Sequence, residues 1–220
     1  AAARVEQATV LAERSKCLEG QTRCEALHAA LALAGADFTA AEGGFRKAQE
    51  AFSAMECPHD EAVCILGLAE LNLYVGHPLD SQALAADAAA LFRRIGAARE
   101  QLVAEAMVAR AEFNVSPTPR FRESWLAAAK RLVLAGAPAA EVENLQHLAA
   151  SDLGSNRSRL WRNDVRAKAE AMGLRAALIA VDVLDALAAG EAAVVEQSLD
   201  QARTLDLHLL VTDIERWRCR

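Results

Sequence analysis

CLEGQTRC (residues 17–24) and CPHDEAVC (57–64) are framed by the same two cysteines, and 57 − 17 and 64 − 24 both give 40. The same shift lays Ala8 on Ala48, Ala29 on Ala69 and Leu31 on Leu71. Further along it lays Ala48 on Ala88 and Ala128, Phe52 on Phe92 and Leu132, Ala69 on Ala109 and Ala149, and Gly96 on Gly136. Self-similarity at a fixed period of roughly 20–50 residues marks a stacked repeat array, because each unit buries its apolar face only against its neighbours. The register therefore predicts the fold and directs the functional reading toward binding.

The composition says what the repeat unit is made of. Of 220 residues, 53% are hydrophobic and only 5% aromatic, so alanine dominates the apolar content. Alanine is the best helix former and lets helices approach closely. The 11 glycines and 5 prolines fall between periodic segments, and no window alternates with period two. The expectation is all-α: an α-solenoid of about five antiparallel helix pairs closed by a C-terminal capping helix, in a single domain over residues 1–220.

Helix 1–16 is equivalent to 41–56. The pairs are then 22–35 with 40–56, 61–75 with 79–95, 99–113 with 119–135, 139–152 with 157–172, and 174–189 with 191–205, and 207–219 caps the array. In 22–35 the apolar positions are Ala26, Leu27, Ala30, Leu31 and Ala34. Pro58 breaks the chain before the second pair, with Asp60 as N-cap. Gly43–Gly44 reads as a kink or a close helix contact. From the fourth pair the period shortens, as terminal repeats often do. A start at alanine rather than methionine reads as a fragment of a longer protein.

The second helix of each pair carries alanine and, four residues on, a large apolar residue: Ala48/Phe52, Ala88/Phe92 and Ala128/Leu132. The small residue admits the partner helix and the large one fills the gap to the next pair. This spacing resembles the tetratricopeptide repeat. The 40-residue form, with AAALFRRIGAAREQLVAEAMVARAEF at 88–113, is similar to the repeat region of maltose-regulator-type bacterial signal-sensing transcriptional regulators, and to repeats appended to kinases and protease-like effectors. The resemblance covers residues 20–136 well and the rest of the chain loosely. The first-helix tryptophan of the motif is missing, and Gly67 with Leu71 stands for its glycine–tyrosine pair. The resemblance implies a superhelical scaffold that binds proteins or peptides. It also implies bacterial signal transduction, transcription regulation, a cytoplasmic setting and a possible small-molecule effector.

The charge narrows the partners. A formal net charge of −6 argues against direct nucleic-acid binding, which needs a basic footprint. Apolar runs are too short and broken for a membrane span, and the N-terminus does not read as a signal peptide. Five cysteines, an odd number, suit reduced thiols, with Cys24 and Cys64 on buried faces of equivalent helices.

No chemistry-bearing motif stands out. Cys24 with His28 and Cys57 with His59 lie too far apart to supply four converging zinc ligands. The five histidines are scattered, and GxSxG, GxxxxGK[ST] and GxGxxG do not occur. The expectation is no metal, no cofactor and no catalytic centre, with an enzyme such as a hydrolase on a helical scaffold as the alternative.

One charge pattern stands out. RSRLWRNDVRAK (157–168) places Arg159, Arg162 and Arg166 on one helix stripe beside Trp161 and Lys168. Over 157–175 six basic residues face Asp164 and Glu170, a net of +4. Over 176–215 Arg203 faces Asp182, Asp185, Glu191, Glu196, Asp200, Asp206, Asp213 and Glu215, a net of −7. Two readings follow: a solvent-facing site for an acidic peptide built on Arg159, Trp161, Arg162, Arg166 and Lys168, or a helix face pairing with the acidic helices next to it. Trp125, Trp161 and Trp217 all fall in the second half, and Trp217 is the one expected to be partly exposed or to meet a neighbouring domain.

Overall fold

The computed structural model describes residues 2–219, which form twelve α-helices and no strand. The first six are α1 (Ala2–Ser15), α2 (Leu18–Ala34), α3 (Phe38–Ala54), α4 (Pro58–Tyr74), α5 (Pro78–Arg94) and α6 (Ala98–Val115). The second six are α7 (Pro119–Leu134), α8 (Pro138–Ala150), α9 (Asn156–Met172), α10 (Arg175–Ala189), α11 (Ala192–Thr204) and α12 (His208–Arg218). Helices pack mainly on their sequence neighbours, as an α-solenoid requires, so the all-α repeat expectation holds. By contacts the chain divides into two compact units, residues 1–121 and 122–220, with the boundary in the first turn of α7. Among the described residues no helix is long and apolar enough to cross a membrane.

The backbone repeats at half the sequence period. Residues 16, 36, 56, 76, 96 and 136 all take a left-handed conformation, each just past a helix end. Around residue 36 the Ala36 N–H donates to Leu33 O and the Asp37 N–H to Ala32 O, both at 2.9 Å. This is the Schellman arrangement, which satisfies the last carbonyls of a helix. The long bond recurs from Cys57 to Phe52, His77 to Asn72, Ala97 to Phe92 and Ala137 to Leu132. A side chain in the left-handed region is strained, and Lys16, Ala36, Glu56 and Asp206 stand where glycine serves at Gly76 and Gly136. The prolines open helices: Pro58, Pro78 and Pro138 each stand at a helix start, where a missing N–H costs nothing.

The 40-residue register is a register of buried stripes. Ala41, Phe45, Ala48 and Phe52 are buried on α3, and Ser81, Ala85, Ala88 and Phe92 at the same places on α5. On α7 Trp125 and Leu132 continue the stripe, with Ala129 fully buried and Ala128 half-buried. Phe92 packs with Ala62, Ile65, Ala88, Ala89 and Ala104, a cluster drawn from α4, α5 and α6. Two glycines allow close approach. A Cβ on Gly44 would stand 2.8 Å from the Ala29 Cβ, and one on Gly67 2.6 Å from the Phe45 ring. Gly44 is thus a close helix contact, while the space beside Gly43 is open.

The framing cysteines also have a structural explanation. Cys17 and Cys57 are the N-caps of α2 and α4, and Cys17 Sγ accepts the Gly20 N–H at 3.4 Å. Cys24 and Cys64 lie two turns further on, both buried. Burial, reinforced by the charges of Asp60 and Glu61, pushes the Cys64 thiol up to about 12.

Three expectations are corrected. Asp60 is not the N-cap of α4; it lies in the first turn, where a carboxylate favours the helix N-terminus, and pairs with Arg23 at 2.9 Å. On α2 the buried residues are Thr22, Cys24, Ala29 and Leu33, whereas Leu27, Ala30 and Ala34 are exposed. That helix carries alanine and leucine all round, so its sequence does not single out a face. Trp217 is only 3% exposed. Leu210, Ile214 and Trp217 fall at i, i+4 and i+7, and this stripe faces inward.

Candidate functional site

The basic segment forms α9, which begins at the N-cap Ser155, whose side chain accepts the Ser158 N–H, and ends at left-handed Gly173. It packs between α8 and α10. Its apolar residues Trp161, Val165 and Ala169 are buried, and that orientation carries part of the arginine stripe inward with them.

Arg162 is only 6% exposed, which corrects the expected solvent-facing stripe. Its Nε donates to Asp185 Oδ1 at 2.6 Å, and its Nη1 to Ser158 Oγ at 2.6 Å and Leu153 O at 3.4 Å. A buried guanidinium must use its donors, and here a carboxylate, a hydroxyl and a carbonyl supply acceptors. Arg166 spans two acids, Asp182 Oδ1 at 2.7 Å and Asp185 Oδ2 at 2.9 Å. Burial alone lowers the Arg166 pKa, but the bonds to Asp182 and Asp185 more than offset it and hold the group above its ordinary value.

Lys168 turns the other way. Its Nζ donates to Glu141 Oε1 at 2.7 Å and to Asp164 Oδ2 at 3.0 Å. Burial lowers its pKa and the two carboxylate bonds raise it further than that, for a net rise. Glu141 is itself buried in the first turn of α8, so Lys168 supplies its counter-charge. Arg157 pairs with Glu123 of α7. Arg159 remains exposed, with no ion pair among the described residues. Of the five residues singled out, the structure thus buries Trp161 and Arg162, commits Arg166 and Lys168 to carboxylates of α10 and α8, and leaves Arg159 to solvent. The arrangement is the helix-pairing reading of the two drawn from the sequence.

The acids that accept these arginines border a groove. Between α10 and α11 lies a concavity of about 450 Å3, with Asp182, Asp185 and Glu191 among its lining residues. The net charge of −7 over 176–215 was the signal for an acidic surface, although charge alone does not locate a groove. In the first unit a second concavity of about 440 Å3 is lined by His77, Leu79 and Asp80 at the start of α5 and by Asn114 and Val115 at the end of α6.

The other candidates do not converge. Cys24 is buried, while His28 is exposed and lies 3.3 Å from Thr9 Oγ1. Among the described residues no group of three or more His, Cys, Asp or Glu side chains could hold a metal. His147 is buried, 3.8 Å from Asp213 Oδ2, with its ring edge-on to Trp217 at 6.1 Å. Trp125 is buried too, its Nε1 donating to Asn144 Oδ1 at 2.6 Å. No known family model matches the chain, and no curated protein matches it.

Proposed function

We propose that the chain is a helical-repeat scaffold that binds a partner protein, a peptide or a neighbouring domain. The observation that carries this reading is that, within each unit, helices pack mainly on their sequence neighbours. Such an array builds its core locally and leaves its side-chain faces available to partners. The test is a peptide array of basic, acidic and uncharged segments probed with the labelled chain. Saturable binding at micromolar concentration is expected for one class, and no saturation with any class would contradict the reading.

A second reading, an effector-sensing region of a bacterial transcriptional regulator or ATPase, draws on the two grooves. Their volumes of about 450 and 440 Å3 fall within the roughly 300–1,000 Å3 of small-molecule sites. A metabolite that raises the melting temperature in proportion to the logarithm of its concentration would favour it.

A further inference from the structure

We propose that the groove between α10 and α11 takes a long cationic side chain, lysine or arginine, presented by a basic segment of a partner protein. This rests on the scaffold reading and gives its partner a chemistry opposite in sign to the acidic peptide expected from the basic stripe.

The groove offers acceptors with capacity left over. Asp185 already accepts from two arginines, Arg162 Nε on one oxygen and Arg166 Nη2 on the other. Asp182 gives only Oδ1 to Arg166, so its second oxygen is open. Glu191 is exposed and makes no ion pair among the described residues. The arginines of α9 also hold Asp182 and Asp185 in place, which reduces the ordering that a ligand would have to impose.

The second observation is Ser198. It lines the same groove, is only 7% exposed, and makes no side-chain hydrogen bond among the described residues. Its hydroxyl, with no protein partner among those residues, opens onto the groove, where it can accept a hydrogen bond from a ligand N–H. The rest of the lining fits a stem: Ala186, Ala189 and Val194 form an apolar wall for methylenes, while the carboxylates take the charged head. A single head on a single aliphatic stem matches this arrangement better than a polyamine, whose charges need acceptors spaced along its length.

The test uses the full chain and a fluorescein-labelled hexapeptide of alternating lysine and alanine, read by anisotropy. Glu191→Lys reverses the open carboxylate at an N-cap that makes no side-chain cap bond. Val194→Lys places a competing ammonium in the groove from a position already 37% exposed. Each is expected to weaken binding about tenfold or more, with helicity unchanged by circular dichroism. Asp87→Lys, an identical charge change on an exposed site of α5, is expected to weaken it less than about twofold. Spermine is expected to displace the peptide only in large excess. Equal weakening by Asp87→Lys, displacement by spermine at parity, or no peptide binding would overturn the proposal. Saturation of the chain by an acidic or uncharged array peptide alone would overturn the groove assignment and leave the scaffold reading standing. Silence across the whole array would overturn the scaffold reading itself.

Discussion

Residues 1–121 and residues 122–220 are both built from helices packed in sequence order, yet they fill their interiors with different chemistry. In the first unit the buried polar residues are Thr22, Ser81 and Arg110. In the second they are Glu141, Asn144, Gln146, His147, Ser158, Arg162, Ser198 and Asp213. The first unit keeps the strict 40-residue register, and its helices meet through small-against-large apolar fit, as at Gly67 with Phe45. The second keeps it only through α7 and the turn at Gly136, and holds its helices with Trp125–Asn144, Lys168–Glu141 and Arg162–Asp185. Apolar fit is set by spacing and can be copied from unit to unit. A polar network must be completed residue by residue, since each unmet buried group is costly.

The largest effect that can break this comparison is in the first unit. Phe92→Ala removes a fully buried ring at a repeat position and should lower stability by about 3–5 kcal/mol in denaturant titration. A loss under about 1 kcal/mol would mean that the stripe register does not hold the core. In the second unit Trp125→Phe keeps most of the apolar volume but leaves the Asn144 Oδ1 without its donor. A loss of about 1–3 kcal/mol is expected, and a neutral result would show that the polar bond is dispensable. Ser81→Ala should go the other way. Its Oγ is buried without a partner, and the equivalent place on α3 is already Ala41, so a gain on the order of 1 kcal/mol is expected. Smaller still, Glu56→Gly should raise the melting temperature slightly. The relief of left-handed strain, about 1–2 kcal/mol, is offset in part by about 0.4–1 kcal/mol of added unfolded-state entropy. Thiol labelling sharpens the same picture without an energy: Cys17 and Cys219, both exposed, should react in native buffer well before buried Cys64, whose raised pKa keeps it protonated.

The first unit was legible because its signal is a period. Cysteines, alanines and phenylalanines forty residues apart report equivalent positions whatever the partner helices look like. Where periodicity is uninformative, the inward face of a helix is not legible in its sequence. The α2 helix carries alanine and leucine on every side, so its inward face is chosen by α1 and α3 rather than by its own pattern. The left-handed turns at Lys16, Ala36 and Glu56 are not legible in the sequence because these residues do not advertise a conformation that glycine would. The stripe from Arg159 to Lys168 was legible as charge but not as orientation. Trp161, Val165 and Ala169 decide which way α9 faces, and Arg162 follows them inward to Asp185. The acidic groove needs α10 and α11 side by side before Asp182, Glu191 and Ser198 share a wall, and no spacing within one helix announces that.

The most direct test of the account is a double-mutant cycle on Arg162 and Asp185, with Arg162→Met, Asp185→Ala and the pair measured by equilibrium denaturation. If the arginines of α9 are spent holding that helix on α10, the two changes will be coupled by about 1–3 kcal/mol. Additivity within about 0.5 kcal/mol would contradict the account and return the stripe to its reading as a free surface for an acidic partner.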